Sequence, residues 1–235
     1  MGTRRHRNQY LNIIKDMKSP KWGNLFKLPM ALLAMGILTF LLFEFLNRNQ
    51  LPVLGPKDFS PELVDSQLTN TENGHLVSDF SLINQNGLTI TQETYANKIY
   101  VTDFFFTRCP SICPIMSNNM EALQETFIEQ DEVMFLSMSV TPELDSVPVL
   151  KKYADRHGVI DSKWNITTGD KSHIYDLARK SYFAVVDYGD GGLQDFIHTP
   201  NFILVDQQKQ IRGVYNGTAS EDIERLKKDI ESLLQ

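Results

Sequence analysis

The sequence predicts an α/β domain, a three-layer sandwich built around one sheet, with a transmembrane helix near its amino terminus. Three observations lead to this prediction. An apolar run near the amino terminus is long enough to cross a bilayer, apolar β-rich runs alternate with helical patterns after it, and the chain ends on two strands and a helix. With 235 residues, the chain can form one domain with a sizeable core.

Charge is distributed unevenly along the chain. Residues 1–48 contain eight Lys and Arg against two Asp and Glu, and the remainder contains 15 basic and 27 acidic residues. Nucleic-acid binding needs a basic surface, so the acidic globular part argues against nucleic acid as a partner. The basic residues lie beside the apolar run, which indicates a membrane instead.

Residues 28–46, LPMALLAMGILTFLLFEFL, contain one charged residue, Glu44. At ~1.5 Å per residue this run spans about 28 Å, close to the hydrocarbon thickness of a bilayer. A core helix would have a polar face, and a cleaved signal peptide would have a shorter run followed by an A-x-A-like site, which NRNQLPVLGP lacks. We therefore predict a retained transmembrane anchor.

Seven Lys and Arg precede this run, so residues 1–27 are expected to form a cytoplasmic tail. The protein would then cross the inner membrane once and place its main domain in the periplasm or another extracytoplasmic space. Residues 47–75 are rich in proline and polar residues and are predicted to form a linker. The folded domain is expected at residues 76–235.

The first half of this domain begins with a predicted hairpin, in which residues 78–83 and 88–91 flank the turn sequence NQNG. Residues 98–106, KIYVTDFFF, have the apolar, β-rich character of a central strand covered on both faces. Residues 115–128 carry apolar side chains at helical spacing. The pattern predicts hairpin, strand and helix in that order.

The next elements repeat the alternation of strand and helix. Residues 133–140 read as a second buried strand, and a helix is predicted at 147–157. A third strand is predicted at 164–168 and another helix at 172–181. Alternating βα units of this kind indicate parallel strands with helices packed on the sheet.

The chain ends on two predicted antiparallel strands, residues 201–206 and 210–215, and a helix. Thr218 and Glu221 match a capping box at the start of that helix. Its apolar stripe is formed by Ile223, Leu226, Ile230 and Leu233. The complete order of elements fits a three-layer sandwich of thioredoxin type.

Two cysteines, Cys109 and Cys113, lie between the predicted central strand and the following helix in the segment TRCPSICP. Helical residues four apart share a face, so the two sulfurs can converge. Pro110 suits the first turn of a helix, where its missing N–H costs nothing. The free N–H groups and the dipole at a helix start favour thiolates.

This pair has three possible roles. A structural disulfide would close a very small loop, and the stabilisation from such a loop is small. Thiol–disulfide exchange is the chemistry of C-x-x-C motifs on this fold, although the spacer here has three residues. Soft thiolates also bind zinc and Cu(I), and the two cysteines fall short of the four ligands that zinc prefers. The ligand count favours copper.

His198 is the histidine best placed to be a third ligand. His6 lies in the predicted cytoplasmic tail, and His75, His157 and His173 are expected to be surface or capping residues. In thioredoxin-like folds a cis-proline commonly precedes the penultimate strand and faces the cysteine helix. Pro200 matches that position, which would bring His198 within reach of the sulfurs.

Asp145 follows the second predicted buried strand and is expected at the same edge of the sheet as the cysteines. It is a candidate to tune the site or to contact a partner. Capping of the helix predicted at 147–157 would explain this residue nearly as well.

Three features together resemble the Sco/SenC family of copper-binding cytochrome oxidase assembly proteins: DFFFTRCPSICP at 103–114, SVTPELD at 139–145, and His198. The match covers about residues 76–235. The resemblance implies copper bound by two cysteines and one histidine, here Cys109, Cys113 and His198, as Cu(I) and also Cu(II). It further implies a copper donor protein and the copper-bearing subunit of cytochrome c oxidase as partners.

Two positions depart from the family pattern. Thr141 replaces the usual Asp ahead of the proline, and the TPNF after His198 is more typical of a thiol-disulfide oxidoreductase. We expect a membrane-anchored copper chaperone rather than a turnover enzyme, with a reductase that keeps oxidase cysteines reduced as the alternative. A peroxiredoxin-like peroxidase would need Thr or Ser where Phe106 stands.

Overall fold

A computed structural model describes residues 27–48, 51–59, 75–185 and 196–235. The chain divides into two compact units, Met1–Asn49 and Gln50–Gln235. Except for Lys27, the predicted cytoplasmic tail lies outside the described residues.

Within the first unit, helix α1 spans Lys27–Arg48. It exposes large apolar side chains, among them Met30, Leu33 and Leu38. In the part of the chain that the structure describes, no helix meets the length and apolarity needed to cross a membrane. The transmembrane anchor predicted at 28–46 is therefore not confirmed.

The second unit is built on one seven-stranded sheet. Its strands in chain order are β1 Ser81–Asn84, β2 Thr89–Thr91, β3 Ile99–Phe105, β4 Val133–Ser139, β5 Trp164–Thr168, β6 Asn201–Val205 and β7 Ile211–Asn216. In space they are ordered β2-β1-β5-β4-β3-β6-β7. The central β5, β4 and β3 are parallel, and the other neighbouring pairs are antiparallel. The predicted strands are confirmed.

Four helices follow the sequence pattern: α2 Ile112–Thr126, α3 Val147–Arg156, α4 Lys171–Asp176 and α5 Ser220–Leu233. Helix α2 begins three residues before the apolar periodicity that predicted it. The α-helical part of α4 ends at Asp176, sooner than expected, and the chain continues as the π-helical segment Leu177–Ser181.

Two hydrophobic clusters lie on opposite faces of the sheet, as the alternation along β3 shows. Tyr100 and Phe104 belong to one cluster, and Val101 and Phe105 belong to the other. Helix α4 contributes to the first cluster, while α2, α3 and α5 contribute to the second. Every β3 side chain is buried because helices cover both faces. The predicted three-layer architecture is confirmed.

Part of the predicted linker packs against this domain. Leu54 forms an antiparallel bridge with Ile211. The Arg212 guanidinium donates to the carbonyls of Leu51 and Pro52 and pairs with Asp206. Residues 51–54 thus lie beside strand β7.

Three local expectations are wrong. Helix α5 has Ala219 as its N-cap with no side-chain cap, because the Thr218 hydroxyl donates to Asn216 instead. The described residues contain no cis peptide bond, so Pro200 is trans. His75 is buried, with Nε2 2.5 Å from the carbonyl oxygen of Ser181, whereas a surface or capping position was expected.

Candidate metal centre

Both cysteines lie where the sequence predicts them, between strand β3 and helix α2. A turn closed by the Cys109 N–H and the Phe106 carbonyl, 3.2 Å apart, leads the chain from the strand into the helix. Both side chains are unpaired thiols, and their residues are only 6% and 2% exposed for Cys109 and Cys113. Cys113 lies on the inner side of α2, and Cys109 lies in the turn before the helix. Both belong to the cluster that also contains Phe105.

The sulfur of Cys109 is surrounded by hydrogen-bonding groups. The main-chain N–H of Cys113 donates to it over 3.5 Å, the Ser111 hydroxyl lies 3.8 Å away, and His198 Nε2 lies 4.0 Å away. Burial raises the pKa of the Cys109 thiol, but hydrogen bonds from Cys113, Ser111 and His198 outweigh it and lower the pKa to about 6. Cys109 is therefore a thiolate at neutral pH.

Cys113 has the opposite electrostatic environment. Burial raises the pKa of its thiol, and the negative charges of Cys109 and Asp103 raise it further. This thiol therefore stays protonated at neutral pH when the site is empty of metal. The pair therefore combines one thiolate with one neutral thiol. The sequence did not predict this difference, because both cysteines lie in the same short segment, TRCPSICP.

His198 reaches the site because of the sheet topology. Strand β6 runs antiparallel to β3, with Thr102 opposite Ile203, so the segment before β6 lies beside the end of β3. That segment carries His198, which is exposed to solvent. Phe106 and Phe196 flank its ring, with centroids 6.1 and 6.3 Å away. The predicted approach of His198 to a cysteine is therefore present, with a trans Pro200.

Asp145 is completely buried beside the cysteine loop. Its carboxylate accepts two hydrogen bonds from Thr107 and one each from the hydroxyls of Ser139 and Thr141. The N-cap of α3 is Ser146, which makes no side-chain capping bond, and Asp145 points to the loops instead. The capping explanation for Asp145 is thus not supported.

Asp103 is a buried carboxyl that the sequence analysis did not single out. It lies on the face of β3 that carries the cysteine cluster and accepts a 2.5 Å hydrogen bond from the Ser137 hydroxyl. Burial raises the pKa of Asp103 to about 7, although the Ser137 bond lowers it. The signal available in the sequence was one acidic residue within the otherwise apolar run KIYVTDFFF.

The donor set suits a soft cation. Bonds of ~2.3 Å to sulfur and ~2.0 Å to nitrogen, as zinc makes, sum to about 4.3 Å, so an ion of this size fits between Cys109 Sγ and His198 Nε2 at their 4.0 Å separation in a bent arrangement. Among the described residues, no three His, Cys, Asp or Glu side chains are already grouped as a metal site. The geometry brings two donors close together, with Cys113 four residues after Cys109 at the start of α2.

A family model described as SCO1/SenC matches residues 68–235. The chain belongs to the SCO1/SenC family. This membership confirms the resemblance carried by the cysteine motif, the SVTPELD segment and His198.

Individual SCO1/SenC proteins support this assignment. The SCO1 protein homolog of Bacillus subtilis (strain 168) is 33% identical over 158 residues, which cover 66% of this chain and 81% of that protein. The solved structure of BsSco, reported with a disulfide switch and as a member of the Sco family of cytochrome c oxidase assembly proteins, matches with a TM-score of 0.58. It is 32% identical, and the match covers 68% of this chain and 93% of that chain.

A solved structure with copper bound shares the fold. ScoI of Bradyrhizobium japonicum, solved with copper bound, matches with a TM-score of 0.51 and 23% identity, covering 67% of this chain and 99% of that chain. At this identity the likeness concerns the fold alone. The thioredoxin-like α/β architecture is thereby confirmed for the domain.

Proposed function

We propose that this protein is a copper chaperone for the copper centre of cytochrome c oxidase, with Cys109, Cys113 and His198 as the copper ligands. The observation that carries the proposal is the 4.0 Å approach of His198 Nε2 to a cysteine sulfur whose pKa is about 6. Thiolate and imidazole together suit copper, and Cu(I) accepts two or three ligands. Copper in ScoI and the oxidase-assembly role of the family of BsSco support the same function.

Each residue has a distinct part in this proposal. The Cys109 thiolate attracts Cu(I) without first losing a proton. Cys113 releases its proton when it binds, because metal ligation requires the thiolate. His198 supplies the third donor from an exposed position, where a copper donor protein or the copper-bearing oxidase subunit can reach the ion. Copper is then passed on by exchanging one ligand at a time.

A second candidate function is thiol-disulfide reduction of oxidase cysteines. The unequal pKa values of the two thiols favour it, since exchange needs one reactive thiolate and a second thiol to resolve the intermediate. Cys109 would attack a sulfur of the target disulfide and release one target thiolate. Cys113, once deprotonated, would then attack Cys109 and release the other, leaving a Cys109–Cys113 disulfide. The disulfide switch of BsSco supports this candidate.

Anaerobic titration of the reduced chain with Cu(I), in competition with a chromophoric chelator, tests the leading proposal. We expect one tightly bound ion per chain, and a large loss of affinity in Cys109→Ser and Cys113→Ser. Met116→Leu is the matched control, because it removes a buried sulfur from α2 that lies outside the proposed ligand set. Unchanged affinity in either serine variant would overturn the ligand assignment.

We also propose that residues 28–46 anchor the chain in the inner membrane, with 1–27 in the cytoplasm, 47–75 as a linker and 76–235 as an extracytoplasmic copper-binding domain. The apolar sequence of the run, the seven basic residues before it and the exposed apolar side chains of α1 support this arrangement. Protease added to spheroplasts should remove a carboxy-terminal tag and spare an amino-terminal one. Release of the chain with the soluble fraction would contradict it.

A further inference from the structure

Asp145 is an ionisable residue with no solvent exposure, and its carboxylate carries four hydrogen bonds. One oxygen accepts from the Thr107 hydroxyl at 2.5 Å. The other accepts from the Thr107 main-chain N–H at 3.2 Å, the Ser139 hydroxyl at 2.6 Å and the Thr141 hydroxyl at 3.0 Å. A buried carboxylate is stable only when it is hydrogen-bonded in this way.

The four bonds join two different loops. Ser139 and Thr141 lie at the end of β4 and just after it, on the same loop as Asp145 itself. Thr107 lies after the end of β3, two residues before Cys109. Because Thr107 is bound through both its hydroxyl and its main-chain N–H, its position relative to Asp145 is fixed at two points. Asp145 therefore attaches the cysteine loop to the neighbouring strand of the sheet.

The same loop must hold the sulfur close to the imidazole. The Phe106–Cys109 turn follows directly from the end of β3, and the opposing His198 comes from a separate segment. Phe106 packs against the rings of Phe196 and His198. No hydrogen bond among the described residues joins Thr107 to the His198 segment, so the hydrogen bonds that restrain Thr107 are those to Asp145. A shift of about 1 Å in the loop would be large compared with the tolerance of a metal–ligand bond.

We propose that Asp145 is the positioning residue of the copper site, and that it acts through Thr107 to hold the Cys109 sulfur opposite His198. This inference rests on the proposed copper-binding function. Asp145 does not contact the metal in this account. Groups that orient a ligand commonly contribute about 10- to 100-fold to metal affinity, and we expect Asp145→Ala to weaken Cu(I) binding within that range.

Four single variants of the 235-residue chain and one double variant test the proposal. Asp145→Ala removes all four bonds. Asp145→Asn keeps the shape and one acceptor oxygen, and its amide can donate to the Thr107 hydroxyl. Thr107→Val removes the hydroxyl bond alone. Asp206→Asn is the matched control, since Asp206 is also buried and accepts several hydrogen bonds, but lies in the turn after β6, at the opposite end of that strand from His198.

Two readouts are needed, Cu(I) affinity and hydrogen exchange of the amides in residues 106–113. We expect Asp145→Ala to bind copper about 10- to 100-fold more weakly, with Asp145→Asn restoring part of the loss and Asp206→Asn matching the wild type. The double variant Asp145→Ala, Thr107→Val should bind no more weakly than Asp145→Ala, because both changes interrupt one connection. Exchange in 106–113 should accelerate in Asp145→Ala and not in Asp206→Asn.

The outcomes separate the two levels of the argument. Wild-type affinity in Asp145→Ala, or independent additive losses in the double variant, would overturn the positioning role and leave copper binding intact. If the wild type binds no copper, the proposed function fails. The positioning role is then judged by hydrogen exchange alone, and it is overturned if the amides of residues 106–113 exchange at the same rate in Asp145→Ala and in the wild type. If Asp145→Ala does not fold, Thr107→Val is compared with the control Asp206→Asn instead. Wild-type copper affinity and wild-type hydrogen exchange in Thr107→Val would then overturn the positioning role.

Discussion

The sulfur of Cys109 lies 4.0 Å from Nε2 of His198, although the two residues are 89 positions apart in the sequence. The contact forms because β6 is antiparallel to β3, so the segment entering β6 meets the segment leaving β3. A copper ion at this place would connect the two loops that carry Cys109 and His198. The copper affinity should therefore depend on both loops.

His198→Ala is expected to weaken Cu(I) binding at least about tenfold, because the site loses its nitrogen donor and both sulfurs remain. Reduction of a model disulfide by the same variant should persist, since both thiols remain. Chelator competition and a dithiol assay measure the two properties. His173→Ala, which changes a histidine at the start of α4, should leave both unchanged. Equal affinity in His198→Ala and wild type would favour the reductase.

The two thiols should react at different pH values in the metal-free, reduced chain. Because the pKa of Cys109 is lowered to about 6 and that of Cys113 is raised, iodoacetamide at pH 7 should label Cys109 at least about ten times faster. The Cys109 rate should rise with pH to a plateau, with its midpoint near pH 6. Mass spectrometry of the labelled peptides measures both rates. Cys113→Ser should keep the fast reaction, and a shared midpoint near the ordinary cysteine pKa would contradict this assignment.

Asp103 should make the domain less stable as the pH rises. Its pKa is raised to about 7 in the folded chain, so the folded state binds this proton more tightly than the unfolded state between about pH 4 and pH 7. The stability contributed by the protonated carboxyl is complete below about pH 4 and is lost as the pH approaches 7. At ~1.4 kcal/mol per pKa unit, the loss is at most about 4 kcal/mol.

Asp103→Asn keeps a neutral group of the same shape at every pH. Urea unfolding of both chains at pH 4.5, 6 and 7.5 measures the difference, which should grow in favour of the variant as the pH rises. Comparing the two chains at each pH cancels the contribution of the cysteines. Asp79→Asn, at an exposed position, is the control and should show no trend. A constant difference between Asp103→Asn and wild type would contradict the raised pKa.

Helix α2 should depend on its buried side for stability. Leu123 has no solvent exposure, so Leu123→Ala is expected to lower the free energy of unfolding by roughly 2–5 kcal/mol. Ile115 lies on the same helix but is 48% exposed, and Ile115→Ala should cost less than about 1 kcal/mol. Urea unfolding of the two variants measures both values. Similar losses would mean that the exposed side of α2 is also packed in solution.

Local sequence patterns predicted most of the elements because those patterns depend on neighbouring residues. Alternation and apolar runs predicted all seven strands, and the stripe of Ile223, Leu226 and Ile230 predicted helix α5. The start of that helix was missed, because the Thr218 hydroxyl is already bound to Asn216. A capping motif in the sequence shows that suitable residue types are present, but it does not show which other hydrogen bonds those side chains make in the folded protein.

The sequence by itself determined the thioredoxin-like order of strands and helices, and it placed the two cysteines four residues apart where the central strand leads into the next helix. Only the tertiary structure decided how the two thiols differ and how Asp145 is bound, because both depend on burial and on groups brought in from distant strands. Side-chain spacing along the chain is a local property. Desolvation and the pairing of β3 with β6 arise only when the whole sheet has formed.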